Sequence, residues 1–197
     1  MFAIRSLRLP RLLCGILSGM AFGMAGSTFQ NMLRNPLASP DMIGISSGSC
    51  VAAVFSILVL NQSGLFVSIA SLSGGLVVTF LIFLLSHGGA FSGGRLILIG
   101  IGIQAMLTSV ISYLLLQANQ NDVPKAMRWM SGSLNGMVMK DIPLLTVVVG
   151  IGMLLLLVIS RQLKILELGD EYATSLGINP GNLRLILMIC SVLLIAF

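Results

Sequence analysis

Three short segments of this 197-residue chain hold charged side chains that could bind a charged partner. Arg8 and Arg11 precede the first long apolar run, an arginine–asparagine–proline turn follows that run at 34–36, and three acidic residues lie within 167–171. Guanidinium and carboxylate groups pair with opposite charges, often through two parallel hydrogen bonds. These residues predict recognition of a partner rather than bond breaking.

Residues suited to metal binding or redox chemistry are sparse. The only histidine, His87, stands beside two glycines at a predicted helix end, which is typical of a loop histidine. Cys14, Cys50 and Cys190 lie far apart in apolar runs and lack the paired spacing of a zinc site. We expect packed thiols, with no cofactor and no metal site.

The sequence also lacks a loop for binding nucleotide phosphates. None of its three lysines follows a glycine, so the Gly-x-x-x-x-Gly-Lys-Ser/Thr pattern is absent. If ATP drives the function, a separate subunit must hydrolyse it. We therefore predict that this chain is not an enzyme.

The composition indicates which elements position these residues. Hydrophobic residues make up 56% of the chain and charged residues 9%, against roughly 25% charged in a soluble domain. A helix needs about 20 apolar residues to cross a hydrocarbon core of ~30 Å. We predict spans at 12–33, 42–60, 65–85, 96–117 and 142–160 and a sixth that starts near Leu183 and is too short to cross, which indicates a fragment. The expected fold is an all-α polytopic transmembrane bundle in a single domain over 1–197.

The charges avoid all five complete spans and fall in the tail, the loops or the helix ends. A charge at mid-bilayer costs at least ~2.5 kcal/mol, so this exclusion is expected of membrane helices. It disfavours an ion-coupled transporter, which commonly uses carboxylates or histidines inside the membrane. Five basic residues fall on one side and six on the other, so charge bias gives no orientation and indicates another purpose for some outer basic residues.

The turn after the first span has a definite helix stop. Pro36 and Pro40 lack backbone donors and favour extended geometry in the residues before them. We expect the first helix to end near Leu33. Within that helix, small residues at positions 15, 19, 23 and 26 share one face and predict close helix packing.

The acidic segment reads as a short helix with a signal at each end. Asp170 is the expected N-cap after the break at Gly169. Gly177 is expected just past the helix end, with Ile178 as the hydrophobic contact of a Schellman turn. Asn179 and Pro180 then start the next helix, with proline in its first position.

These motifs together resemble the FecCD-type permeases, the membrane subunits of type II ATP-binding cassette importers for iron–siderophore complexes, haem and vitamin B12. The resemblance is carried by the Arg8-Leu-Pro-Arg11 element and by a signature turn, whose matching residues are Gln30, Arg34, Asn35, Pro36, Pro40 and Gly44. It covers the chain in order from Arg8. It also implies one helix before Arg5 and several after Phe197.

The resemblance implies roles for particular residues. Arg8 and Arg11 would dock acidic residues of a substrate-binding protein, and Trp129 would belong to an outer-face element. The span 96–116 would line the substrate pathway, behind a gate loop formed by Ser92, Gly93 and Gly94. The helix that couples the permease to its ATPase would include Glu167, Gly169, Asp170, Ala173, Leu176 and Gly177.

The implied partners are a second permease subunit in a homo- or heterodimer, P-loop ATPase subunits, a periplasmic or lipid-anchored binding protein, and the lipid membrane, with no nucleic acid. The implied location is the bacterial cytoplasmic (inner) membrane, crossed several times. Two alternatives are an ion-coupled secondary transporter and a membrane scaffold that transports nothing. Inverted repeats would favour the first alternative. Co-purification with an ATPase would argue against the second.

Overall fold

The computed structural model describes residues 8–86, 93–140 and 142–196, and all regular structure in these ranges is helical. The predicted His87 loop and Ser92 of the gate loop lie outside the described residues. The elements in chain order are α1 Leu9–Leu33, a 3-10 helix Asp41–Ile43, α2 Ile45–Leu58, α3 Leu65–Ser86, α4 Gly93–Gln117, α5 Val123–Ser131, α6 Ile142–Leu168, α7 Asp170–Ser175 and α8 Pro180–Ile195.

Four of the described helices are long and apolar enough to cross a membrane, namely α1, α3, α4 and α6. They confirm four of the five complete spans that the sequence predicts, although α6 continues to Leu168, past the expected end at 160. The sixth predicted helix is α8. Its 16 residues begin at Pro180 rather than near Leu183, and its length is below that of a full span.

The predicted span 42–60 is wrong in its extent. Its α-helical part, α2, has 14 residues, or about 21 Å at ~1.5 Å per residue. The 3-10 helix before it lies against the first third of α4, where a Cβ added to Gly100 would stand 2.8 Å from the Ile43 Cα. Gly100 is seven residues into α4, about 10 Å along the helix. The chain therefore folds back beside α4 before α2 begins, and the two lengths together approach a membrane thickness.

This fold-back moves one charge away from the ends of the bundle. Asp41 begins the 3-10 helix, and its carboxylate accepts a hydrogen bond from the Ser46 hydroxyl. The sequence places Asp41 in a loop at the membrane edge. In the structure this loop reaches the level of α4 residues 100–104, because Gly44 and Gly100 allow the two backbones to touch.

The tightest helix packing is between α2 and α3, not along α1. A Cβ on Gly74 would lie 2.5 Å from the Ala52 Cβ and 2.6 Å from the Gly48 carbonyl oxygen. The predicted glycine stripe of α1 is different, because a Cβ on Gly19, Gly23 or Gly26 would meet nothing within 4 Å. Small residues promote association in lipid only where a neighbouring backbone comes close. Among the described residues that condition holds where α2 meets α3 and where the 3-10 helix segment meets α4.

The buried apolar residues of α1, α3, α6 and α8 form one core that includes the 3-10 helix. Its members include Phe29, Met32, Ile43, Ile82, Leu166, Leu187 and Met188. α1 packs on α6 and α8, and α6 packs on α8. This arrangement brings the end of α1 and the short helix α7 to the same end of the bundle.

Gly74→Ala should destabilise the protein, because the added methyl group meets backbone and a rigid Cβ that cannot move aside. Overpacking of this kind costs about 1–3 kcal/mol, measured as the free energy of unfolding in detergent micelles. Gly150→Ala is the matched control, since its Cβ would meet nothing within 4 Å. Equal stability of the two variants would contradict the α2–α3 contact.

Candidate functional site

The short helix α7 is bounded by two glycines with positive φ. α6 ends at Leu168, and Gly169 follows with φ 134° and ψ 156°, a conformation that L-residues rarely adopt. The expectation that Asp170 is the N-cap is wrong. Gly169 occupies the cap, and Asp170 is the first residue of the helix. As a consequence, the Asp170 side chain is available for contacts with other elements.

The predicted end of α7 is confirmed. The Ile178 N–H donates to the Ala173 carbonyl at 2.9 Å, and the Gly177 N–H donates to the Thr174 carbonyl at 2.9 Å, which is the Schellman pattern. Asn179 then caps α8 by accepting from the Asn182 N–H at 3.2 Å, and Pro180 is the first helical residue. Four residues thus connect α7 to α8, and most of their backbone geometry is fixed.

α1 ends at Leu33, as the prolines predict, with the same kind of turn. The Asn35 N–H donates to the Gln30 carbonyl at 3.0 Å. Arg34 takes the left-handed position with φ 52° and ψ 38°, where glycine is the usual residue. For an L-residue this conformation costs roughly 1–2 kcal/mol, so the guanidinium must have its own use at this position.

That use is an ion cluster around Asp170. Arg184 donates from Nη1 to Asp170 Oδ2 at 2.9 Å and from Nη2 to Oδ1 at 2.8 Å. Arg34 donates from Nη2 to the same Oδ1 at 2.6 Å. The Arg184 side chain is 2% exposed, Asp170 is 32% exposed and Arg34 is 43% exposed. One carboxylate therefore joins the ends of α1 and α8 to α7.

An open cleft of about 1160 Å³ adjoins this cluster. It gathers residues from three sequence-predicted sets: Arg34 of the signature turn, Gly93 and Gly94 of the gate loop, and Asp170 of the acidic segment. The remaining described turn residues that the sequence singles out (Gln30, Asn35, Pro36, Pro40 and Gly44) shape the backbone that holds Arg34 or leads into α2.

Sequence reasoning missed Arg184 as a site residue. The usable signal was its position in the first turns of a predicted apolar helix, 14 residues after Asp170 of a short acidic helix. A buried arginine needs an anion, because an unpaired buried charge is strongly destabilising.

The two faces of α7 differ in what they can contact. Ala173 is fully buried in the core of the bundle, so it supports the helix but cannot itself touch a partner. Tyr172 and Leu176 are 65% and 62% exposed. Glu167, at the end of α6, is also exposed. The exposed surface formed by Tyr172 and Leu176, called the α7 face below, combines apolar area with adjacent acidic groups.

The opposite end of the bundle is basic. Arg8 and Arg11 are exposed, and the Arg11 guanidinium donates to the Asn135 side-chain oxygen in the segment after α5. Half-buried Trp129 lines a second cavity of about 660 Å³, together with Asp41, Lys125 and Arg128. Arg11 therefore bonds within the chain, whereas Arg8 makes no hydrogen bond or ion pair with the other described residues.

Among the described residues, no group of three His, Cys, Asp or Glu side chains is placed to hold a metal ion.

Comparison with known proteins gives one family for the whole chain. The FecCD transport family matches residues 1–197. The ferric enterobactin transport system permease protein of Escherichia coli is 33% identical over 96% of this chain and 57% of its own length. An Fe(3+)-citrate import system permease protein of Bacillus subtilis is 34% identical over 98% of this chain and 58% of its own length. The chain thus spans somewhat more than half the length of these relatives.

The fold has a solved counterpart. A structure described as an inward-facing conformation of a metal-chelate type ABC transporter superposes with a TM-score of 0.90 at 26% identity. It covers 99% of this chain, and the chain covers 62% of that structure. The order and packing of all described helices therefore follow an existing membrane architecture.

Asp170→Asn should destabilise the protein, because the buried Arg184 then loses the charge that compensates it. We expect a loss of ~3 kcal/mol in unfolding free energy, the lower end of the range for broken buried pairs, since Asp170 is one-third exposed. Asp122→Asn is the control, because Lys125, its partner at 2.8 Å, is 71% exposed and such pairs contribute less than ~1 kcal/mol. Equal losses would show that the Asp170 cluster is an ordinary surface ion pair.

Proposed function

Because this chain belongs to the FecCD transport family, we propose that it is part of the permease of an ATP-binding cassette importer that carries an iron chelate, such as an iron–siderophore complex, into a bacterium. It lies in the cytoplasmic membrane, with the α7 end inside the cell and Arg8 outside. Two permease subunits form the pathway, and separate P-loop ATPase subunits supply the energy.

The observation that carries this proposal is the α7 face. A helix of only six residues that ends in glycine-dependent turns is stable only if the bundle holds it, and the Asp170 cluster and buried Ala173 do so. The bundle thereby presents Tyr172 and Leu176 in a fixed position. Interfaces favour aromatic side chains such as that of Tyr172 as anchors. A fixed apolar face with flanking acids suits a protein partner that pushes on the bundle.

The division of labour follows from what the chain contains. The sequence has no phosphate-binding loop of the Gly-Lys-Ser/Thr type. Motion produced by ATP hydrolysis in another subunit must therefore enter through a contact surface. The α7 face meets this requirement, because α7 is connected to α6 directly and to α8 through four residues.

The pathway is assigned to α4. Only three of its 25 residues, Leu96, Gly100 and Ile111, are buried among the described residues. Its open side carries the hydroxyls of Thr108, Ser109 and Ser112, which bond back to the carbonyl four residues earlier. Small and hydroxyl-bearing residues are enriched where a membrane helix faces protein rather than lipid. A second permease subunit facing this side would enclose a polar route.

Iron chelates are the substrate class that the relatives support. The names of the two relatives specify ferric enterobactin and Fe(3+)-citrate, and the structural counterpart is described as a metal-chelate type transporter. The chelate supplies its own ligands for the metal, so the permease does not need to. The described residues, which form no metal-binding group, are compatible with such a cargo.

Leu176→Ser should weaken association with the ATPase subunit and lower chelate uptake, because it removes an exposed apolar contact of the α7 face. Losses for interface anchors are about 1–2 kcal/mol, or roughly 5- to 30-fold in affinity, measured by co-purification and by uptake in vesicles. Leu65→Ser is the matched control, since Leu65 is 63% exposed and lies at the opposite end of the bundle. Unchanged association for Leu176→Ser would refute the coupling role.

Arg8→Glu should slow the docking of an acidic binding protein on the outer side. Changing an exposed rim charge mainly lowers the association rate at low salt, and the effect fades as salt screens it. Surface plasmon resonance at two salt concentrations would measure this. Arg161→Glu is the control, since Arg161 is exposed near the inner end of α6. If both variants bind alike, Arg8 does not dock the partner.

A further inference from the structure

We propose that the two arginines of the Asp170 cluster have different roles, with Arg184 a permanent anchor that makes α7 and α8 move as one body and Arg34 a releasable tie that holds this body to the end of α1. The inference rests on the proposed function, because it specifies how motion applied to the α7 face is divided between helices. Both arginines act here as positioning residues.

The anchor role follows from burial and geometry. Arg184 uses both terminal nitrogens on both oxygens of Asp170, at 2.9 Å and 2.8 Å, and its side chain is 2% exposed. Separating this pair would remove two charge-assisted bonds from a guanidinium inside the bundle, which is strongly unfavourable. The Schellman turn and the Asn179 cap fix the backbone between the two helices. α7 therefore cannot move far without α8.

The tie role follows from the opposite properties of Arg34. Its side chain is 43% exposed, and its guanidinium makes one bond to Asp170, at 2.6 Å. Both arginines line the open cleft of about 1160 Å³, but only the Arg34 side chain is exposed, so water can hydrate it as soon as it leaves the carboxylate. Exposed ion pairs contribute little to stability. This bond is therefore easy to break and to form again.

The shared oxygen makes the release possible without a penalty at the anchor. Asp170 Oδ1 accepts from both arginines, whereas Oδ2 accepts from Arg184. When Arg34 leaves, Asp170 keeps its two bonds to Arg184 and no buried charge is left alone. When Arg184 leaves, a buried guanidinium loses both of its bonds to this carboxylate. The bond from Arg34 can therefore break while the two bonds from Arg184 stay in place.

The backbone at position 34 indicates that the arginine side chain is needed there. Arg34 holds a left-handed conformation that glycine would adopt more easily. Glycine at this position would form the same turn, but it has no side chain to bond to Asp170. Arg34→Gly is therefore a clean test, because it removes the tie and eases the turn.

The experiment compares variants of the assembled transporter in lipid vesicles. We expect Arg34→Gly to leave complex recovery intact and the melting temperature within about 2 °C of the parent. The amount of chelate moved per ATP hydrolysed should fall about fivefold or more, which is the lower end of the fold-changes typical of coupled sites. Arg34→Lys should restore most of this ratio, because it returns a cation to the carboxylate. Arg184→Gln should instead lower the melting temperature and the recovery of the complex.

Asn61→Gly is the matched control. Asn61 is the other non-glycine residue with positive φ among the described residues, at 51°, and it follows α2 at the opposite end of the bundle. It should change neither stability nor the transport ratio. The same loss of ratio in Asn61→Gly would assign the Arg34 effect to the backbone and overturn the tie.

Three further results would overturn the inference: an unchanged ratio for Arg34→Gly, a failure of Arg34→Lys to restore it, or a loss of melting temperature in Arg34→Gly equal to that in Arg184→Gln. The proposed function fails differently. In that case the parent complex itself would not associate with an ATPase or couple ATP hydrolysis to chelate uptake.

Discussion

The Asp170 carboxylate is the point on which the inner end of this structure depends. An arginine that is 2% exposed within an apolar bundle requires a counter-charge in a fixed place, and Asp170 provides it from the first position of α7. A six-residue helix is too short to be stable alone. The ion pair with Arg184 explains why α7 nevertheless keeps a fixed position against α8. It also explains why Gly169 must break the chain before it, since the acid is then free to point at α8 rather than to cap its own helix.

Membrane thickness imposes the second constraint, and the chain satisfies it in an unexpected way. The segment after α1 reaches the first third of α4 before α2 begins, so a helix of 14 residues completes the crossing. Gly44 and Gly100 allow that approach, and Gly48 and Gly74 then hold α2 against α3. In lipid there is little hydrophobic drive between helices, so close backbone contact takes over the stabilising role.

The two ends of the bundle carry different charge patterns, and this difference gives the molecule a direction. One end has acids around a cleft and an exposed apolar α7 face. The other end has exposed Arg8 and basic residues on α5. The near balance of basic residues on the two sides, which prevented an orientation from charge counts, is compatible with outer basic residues that serve recognition. The proposed orientation rests on these surfaces and on the family.

The sequence by itself determined the helical class, the four long spans, the stop at Leu33 and the glycine-dependent end of α7, because these depend on local composition and on backbone preferences within a few residues. Tertiary structure alone decided which glycines pack, how deep the 3-10 helix lies, and that Ala173 is buried. It also decided the cluster, since Arg34 and Asp170 are 136 residues apart. A charge's partner is set by the folded positions of distant helices, and no local pattern encodes that distance.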